Sequence, residues 1–245
     1  MIGIIGMGMV GQAVSRGFAR CPQIQVDPKY NNTSIEELVQ ANPRAVFVCV
    51  PTPSPGNGYP ILMGVLDQLE ALDYQGVVAV KSTVPPKYLK GRNIVYNPEF
   101  LSRATSYADF IRPPMVIFGG ARAEELWDVY AEFSDVDMKT VFCTDIATAS
   151  LAKYTMNTFY ATKITFMNMV YDLAKEWDAD YNELIDILAE HPWMGTHHFN
   201  VPGPDSKRGF GGPCLPKDTA ALVAEHDCEL LAKVLELNSK YRNKE

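Results

Sequence analysis

A cysteine stands in the segment Gly209-Phe210-Gly211-Gly212-Pro213-Cys214-Leu215-Pro216-Lys217-Asp218, behind three glycines and just ahead of a cation and a carboxylate. A thiol at the start of a helix and near a positive charge has its thiolate favoured, which makes it a nucleophile. Most buried cysteines are inert packing residues, and Cys21, Cys49, Cys143 and Cys228 are read that way. A second group of residues is suited to phosphate. Gly6-Met7-Gly8-Met9-Val10-Gly11 directly follows an apolar run and opens a helical pattern. Glycines in that position let the backbone approach a pyrophosphate held at the helix N-terminus. Asp27 ends the next apolar run, where a carboxylate would bond ribose hydroxyls and repel a 2′-phosphate, so NAD is expected in preference to NADP.

Three further segments follow apolar runs and so fall at the carboxyl edge of a sheet, where such sheets bind ligands. Pro51-Thr52-Pro53 and Lys81-Ser82-Thr83-Val84-Pro85 contribute Thr52 and Thr83, whose hydroxyls are candidates for ligand or water; the prolines alone serve to stop strands. Asn97-Pro98-Glu99-Phe100 contributes a carboxylate, which by itself reads more commonly as a surface glutamate in a turn. His191, His197 and His198 share one loop, but no acid or cysteine completes a recognised metal-ligand spacing, so no metal is expected.

The elements that must carry these residues follow from periodicity. Strands are predicted at 1–5, 24–27, 45–50, 77–80, 93–96, 115–118 and 140–143, with helices at 10–20, 34–40, 62–72 and 123–133 between them. That alternation predicts an α/β fold: a Rossmann-type, doubly wound parallel sheet over residues 1–144. From Asp145, a plausible N-cap, the pattern turns helical. A long, mostly buried helix is expected to Trp177, then a helix at 181–190, a Gly- and Pro-rich loop to Pro213, and one or two helices over 215–241. Residues 145–245 are thus expected to be an all-helical domain carrying the cysteine loop.

Composition removes other classes. A net charge of −7 and a pI near 5.2 disfavour nucleic acid or an anionic membrane as a partner. No uncharged apolar run reaches the ~20 residues of a spanning helix. Residues 1–14 lack the basic start of a signal peptide and are broken by glycines. Five scattered cysteines suggest neither a disulfide framework nor a zinc site, and fit a reducing cytoplasm.

Taken in order, the glycine fingerprint, Lys-Ser-Thr-Val, Asn-Pro-Glu-Phe-Leu, Lys153-Tyr154-Thr155-Met156-Asn157 and Gly-Phe-Gly-Gly-x-Cys-x-Pro-Lys-Asp resemble the UDP-glucose and GDP-mannose dehydrogenase family. The resemblance implies oxidation of the C6 alcohol of a nucleotide-bound hexose to a carboxylate, with two hydride transfers to NAD. Cys214 would add to the aldehyde, and the thiohemiacetal would become a thioester that water cleaves. By the same resemblance Glu99 is the general base, Lys153 and Asn157 stabilise negative charge on oxygen from one helix face, and Asp218 with Thr83 positions water. Gly6, Gly8, Met9, Val10, Gly11, Asp27, Thr52 and Thr83 would hold NAD. Glu99, Phe100, Leu101, Lys153, Asn157 and Gly211 would meet a nucleotide sugar. A homodimer paired through the long helix is implied.

The sequence departs from the family in three places. The resemblance accounts for only the first two parts of family members, so the α/β domain that closes over the nucleotide is expected to be missing. An acid four residues after the family's glutamate is here Arg103, reversing the charge beside the cofactor. The family's Arg-Ile-Gly is Trp193-Met194-Gly195, and the loop gains Pro204-Asp205-Ser206-Lys207-Arg208, whose Lys207 and Arg208 are candidates for a diphosphate. Two other readings stand beside this one. A short β-hydroxyacid dehydrogenase would also use a helix-borne Lys and Asn, and the cysteine segment argues against it. An NAD-binding scaffold or partner-dependent remnant fits the missing domain, while the joint presence of Lys153, Asn157, Cys214 and Asp218 favours catalysis.

Overall fold

Runs such as Ala45-Val46-Phe47-Val48 and Val77-Val78-Ala79-Val80 carry no polar residue, which suits strands covered on both faces of a parallel sheet. In the computed structural model, which describes residues 1–53 and 57–243, these runs become strands of one seven-stranded sheet. The strands are β1 (Ile2–Ile5), β2 (Gln23–Val26), β3 (Ala45–Val48), β4 (Val77–Val80), β5 (Val95–Tyr96), β6 (Val116–Gly119) and β7 (Val141–Thr144). Their spatial order is β2-β1-β3-β4-β5-β6-β7. Neighbours are parallel, as expected of a doubly wound sheet, except β5 and β6, which pair antiparallel. The physical reason is the connection. Residues 97–115 hold only one short helix, and an antiparallel strand starts from the edge its predecessor left, so no crossover is needed.

Helices α1 (Met9–Gly17), α4 (Ser106–Ile111) and α5 (Ala123–Phe133) cover one face, and α2 (Ile35–Gln40) and α3 (Pro60–Ala71) the other. The alternation along β3 divides accordingly: Ala45 and Phe47 join the first cluster, Val46 and Val48 the second. Each fully buried valine or phenylalanine side chain among them contributes roughly 1.5–3 kcal/mol. Helix α4 and a 3-10 turn at Pro86–Tyr88 were not expected from periodicity, because α4 buries only Phe110 and the 3-10 turn spans three residues.

The chain divides into two compact units, Met1–Lys153 and Tyr154–Glu245, and the division falls inside the long helix α6 (Ile146–Glu176). Its first turns belong with the sheet: Ala149 is buried in the second cluster, with Ile146 and Ala152 packed against it. Asp145 caps it, its carboxylate accepting from Thr148 N at 2.8 Å and from the Thr148 hydroxyl at 2.7 Å. Those bonds hold the Asp145 carboxyl below its ordinary range.

The second unit contains the rest of α6 with α7 (Tyr181–Glu190), α8 (Leu215–Glu225) and α9 (Glu229–Arg242). Met167 and Ala174 pack with Tyr181 and Phe199, while Ala161 packs with Phe210 and Val234. The expectation of a mostly buried α6 is overturned. Phe159 is 61% exposed and Phe166 51%, and Met169 and Leu173 are also exposed. The helix is apolar around much of its circumference, and its neighbours within the unit cover only part of it. Among the described residues no helix is long and apolar enough to cross a membrane.

Helix α2 begins with a capping box in which Ser34 Oγ accepts from Glu37 N at 3.1 Å and Glu37 Oε2 accepts from Ser34 N at 2.8 Å. Ser34→Ala is expected to cost about 1 kcal/mol of stability in urea unfolding, and Ser34→Asp, which keeps an acceptor, to restore most of it. Equal stability of Ser34→Ala and wild type would refute the role of the cap.

Candidate functional site

The sheet order reverses between β1 and β3, so the loops leaving their carboxyl ends diverge and open a crevice. Three glycines fit the backbone to it, each for a different reason. Gly6 has φ +90°, and a Cβ there would lie 2.8 Å from Cys49 O. A Cβ on Gly11 would lie 2.0 Å from Gly6 O, so only glycine lets α1 start this close to β1. Gly8 is different: nothing lies within 4 Å of where its Cβ would be, and no side chain caps the helix it precedes. The amino end of α1, with Met9 and Val10 in its first turn, is therefore open to phosphate oxygens, and the residues present fit a dinucleotide.

Asp27, just past β2, turns its carboxylate onto this loop. Its Oδ2 accepts from Met7 N at 2.6 Å and its Oδ1 from Lys29 N at 2.9 Å, which fixes the side chain at the crevice. Thr52 and Thr83 meet at the ends of β3 and β4, where the buried Thr52 hydroxyl donates to Thr83 O at 3.0 Å. Ser82 donates likewise to Val50 O at 2.6 Å. Both bonds tie the two strand ends together.

Beneath them lies a buried lysine whose bonding partners sequence alone did not reveal. Lys81 Nζ donates to Asn97 Oδ1 at 2.9 Å and to Asn97 O at 3.2 Å, and Tyr130 OH donates to the same Oδ1 at 2.7 Å. Asn97 Nδ2 in turn donates to Ile117 O at 2.9 Å. Burial pulls the Lys81 ammonium down to about 8 and pushes the neighbouring Cys49 thiol up to about 12, which keeps that thiol protonated and unreactive near neutral pH.

This network fixes the chain that leads into Glu99. Lys153 on α6 donates to Glu99 O at 2.5 Å and pairs with Oε1 at 3.3 Å, while Glu99 Oε2 accepts from Leu101 N at 2.7 Å. Phe100 lies beneath the ammonium, 5.0 Å from ring centroid to Nζ. Arg103 lies a few residues on, in an open groove of about 340 Å³ that it shares with Met9, Gln12, Arg16 and Tyr107.

In the second unit, Cys214 is the N-cap of α8 and half-buried, and its carbonyl accepts from Asp218 N at 2.9 Å. Asp218, 1% exposed, is held from both sides: Asn157 Nδ2 donates to Oδ2 at 2.5 Å and Lys217 Nζ pairs with Oδ1 at 2.5 Å. Asn157 on α6 is thereby bonded one turn behind Cys214. Two other asparagines hold the glycine-rich approach. Asn168 Oδ1 accepts from Gly209 N at 3.1 Å, and Asn238 both accepts from Phe210 N at 2.7 Å and donates to Phe210 O at 3.0 Å. The signal for Asn238 was present, since it lies between Val234 and Tyr241 on a buried helix face where a polar residue needs a partner.

Other expected site residues fall elsewhere in this unit. Gly211 lies against Arg242 and Asp205, and Arg208 is engaged with Asp172 at 2.7 Å. His191 faces Trp193, His198 stacks on Tyr160, and among the described residues no three of His, Cys, Asp and Glu are grouped to hold a metal.

The sequence profile of the UDP-glucose/GDP-mannose dehydrogenase family, NAD binding domain, matches residues 23–135, and that of the family's central domain matches residues 147–240. A UDP-glucose 6-dehydrogenase of Rickettsia conorii is 34% identical over 235 residues, covering 86% of this chain and 52% of the relative. The chain thus spans about half the length of that relative. A UDP-glucose dehydrogenase structure from Pyrobaculum islandicum superimposes with a TM-score of 0.80 at 26% identity, over 98% of this chain and 68% of that one. A 3-hydroxyisobutyrate dehydrogenase structure from Mycobacterium tuberculosis shares the fold, with a TM-score of 0.75 at 16% identity, over 98% of this chain and 92% of that one.

Lys81 offers a test of the buried network. Its folded value of about 8 lies below its ordinary 10.5. Between those limits the unfolded chain keeps a proton that the folded chain has lost, so the cost of burying the charge is relieved as pH rises. The stability of wild type relative to Lys81→Met, from urea unfolding at a series of pH values, is expected to increase from about pH 8 upward. A pH-independent difference would refute it.

Proposed function

Because the chain belongs to the UDP-glucose/GDP-mannose dehydrogenase family, we propose that it oxidises the C6 alcohol of a nucleotide-bound hexose of the UDP-glucose type to the carboxylate, through Cys214. The first unit carries that family's NAD binding domain. NAD, when bound, supplies the hydride acceptor for each of two oxidations. Gly6, Gly8, Met9, Val10 and Gly11 hold its pyrophosphate, Asp27 its ribose, and Thr52 and Thr83 line the strand ends beside it.

The observation that carries the reading is the bonding around Asp218. A half-buried thiol at the amino end of α8 has, one turn behind it, a carboxylate locked to the Asn157 amide. After the first oxidation the Cys214 sulfur attacks the aldehyde carbon, forming a C–S bond while the carbonyl oxygen gains negative charge. Lys153 and Asn157 stabilise that oxygen as donors. Loss of the second hydride from the thiohemiacetal leaves a thioester. Glu99 takes a proton from water as it attacks, the C–S bond breaks, and thiol and carboxylate separate. Asp218 and Thr83 position that water, and Phe100 and Leu101 shape the approach of the sugar.

Incubation with NAD and a panel of nucleotide sugars, with Cys214→Ala alongside, tests the reading. Two NADH per sugar, abolished by the substitution, is the expected outcome. One NADH per small hydroxyacid, untouched by Cys214→Ala, would replace it with the β-hydroxyacid dehydrogenase reading. Binding of NAD without turnover would favour a scaffold or a partner-dependent enzyme.

The exposed stripe of α6 supports a homodimer. Phe159, Phe166 and Leu173 recur every seven residues with Met169 among them, so they share one helix face, and a second copy of that face is its natural cover. Five scattered cysteines with no Cys-x-x-Cys pair support a reducing, cytoplasmic setting. Phe166→Glu is expected to convert a dimer to a monomer in light scattering; an unchanged mass would exclude this face.

A further inference from the structure

The extra loop residues that the proposed reaction leaves unused line an open cavity of about 450 Å³ in the second unit. We infer that this cavity binds the diphosphate group of a small molecule, at a site separate from that of Asn157 and Asp218. Its walls are Tyr171 and Lys175 of α6, Ser206, Lys207 and Arg208 of the loop, and Arg242 of α9, with Val201 and Pro202 beside them. Among the described residues no carboxylate is part of the lining.

The two guanidinium groups are pre-set. Arg208 Nη1 pairs with Asp172 at 2.7 Å, its Nη2 donates to Asn168 O at 3.0 Å, and the plane stacks between Tyr171 and Tyr241 at 5.3 and 4.8 Å. A guanidinium has five N–H donors, so those bonds orient it without exhausting it. Arg242 pairs with Asp205 at 2.6 Å beside Gly211, where a Cβ would stand 2.9 Å from its Nη2.

Among the described residues four cations therefore line the cavity, and Asp172 and Asp205 balance two of them. The ammonium groups of Lys175 and Lys207 have no carboxylate partner among the described residues, although the chain as a whole carries −7. Two uncompensated charges beside oriented forks match a diphosphate, whose oxygens accept bidentate bonds from arginine and a point charge from lysine.

Position separates the cavity from the reaction. Tyr171 and Lys175 lie 14 and 18 residues beyond Asn157 on the same helix, which is about 21 and 27 Å along its axis. A hexose reacting at C6 beside Asn157 cannot extend its own diphosphate across that distance. The ligand is a second molecule, and Lys207 and Arg208 belong to it rather than to the sugar nucleotide under oxidation.

Calorimetric titration with inorganic pyrophosphate and with uridine diphosphate, on wild type and on Lys175→Glu and Lys207→Glu, tests the site. Both lysines are exposed and hold no element in place, and circular dichroism checks that the variants are folded. Either substitution is expected to weaken binding at least tenfold, and added salt to weaken it in wild type. Tighter binding of uridine diphosphate than of pyrophosphate would mean that a nucleotide carries the group; equal binding would mean that the group alone is held. Binding by neither probe, or binding that both substitutions leave unchanged, overturns the inference.

Discussion

A Cβ at position 11 would stand 2.0 Å from the carbonyl oxygen of Gly6, and the geometry of the first unit follows from its absence. The close approach lets α1 begin one turn after β1 ends, which aims the unpaired N–H groups of its first turn at the crevice instead of at a side chain. The same bend brings Gly6 against the backbone of Cys49, so β1 and β3 are held at the point where the strand order reverses. Asp27 closes the turn from the other side through Met7 N. The proposed dinucleotide seat thus rests on close approaches at Gly6 and Gly11, open space at Gly8 and one carboxylate, with no cation required.

Buried polar groups extend the same logic to the residues proposed to react. An ion pair or amine removed from water rarely adds stability, because desolvation opposes the attraction. Lys81 accepts that cost in return for a fixed Asn97, whose backbone leads directly to the Glu99 carbonyl that Lys153 grips. Asn157, Asp218 and Lys217 repeat the arrangement in the second unit. In both places the polar partners are bonded to one another, which restricts the geometry of the side chains. That restriction is what a site needs from residues placed to meet transient charge.

Legibility in the sequence followed the range of the interactions. Helices at Ala123–Phe133 and Tyr181–Glu190 have the bounds that periodicity predicts, since an amphipathic face is a local pattern. Helix α4 buries only Phe110, so its six residues carry too little pattern to read. The length of α6 was legible and its burial was not: Phe159 and Phe166 look like core residues because periodicity records apolarity, not what covers it. Arg208 is the same problem in charge. Its type suggested a ligand, but its partners Asp172 and Asn168 lie 36 and 40 residues away, and only the fold brings them to it.

Cysteine shows most plainly that position decides chemistry. Cys49 stands at the carboxyl end of β3, beside the glycine turn, and on residue type alone it competes with Cys214. Burial pushes its thiol to about 12, and the charge of Lys81 nearby only partly offsets that. Cys214 sits instead at the amino end of an eleven-residue helix, half-buried, on a backbone bent by Gly209 and Gly212 at positive φ and pinned by Asn168 and Asn238. A nucleophile must be reachable as well as ionisable. Reach is supplied by the glycines and rigidity by the asparagines, so the proposed nucleophile is defined less by its own residue than by the two helices that hold the loop before it.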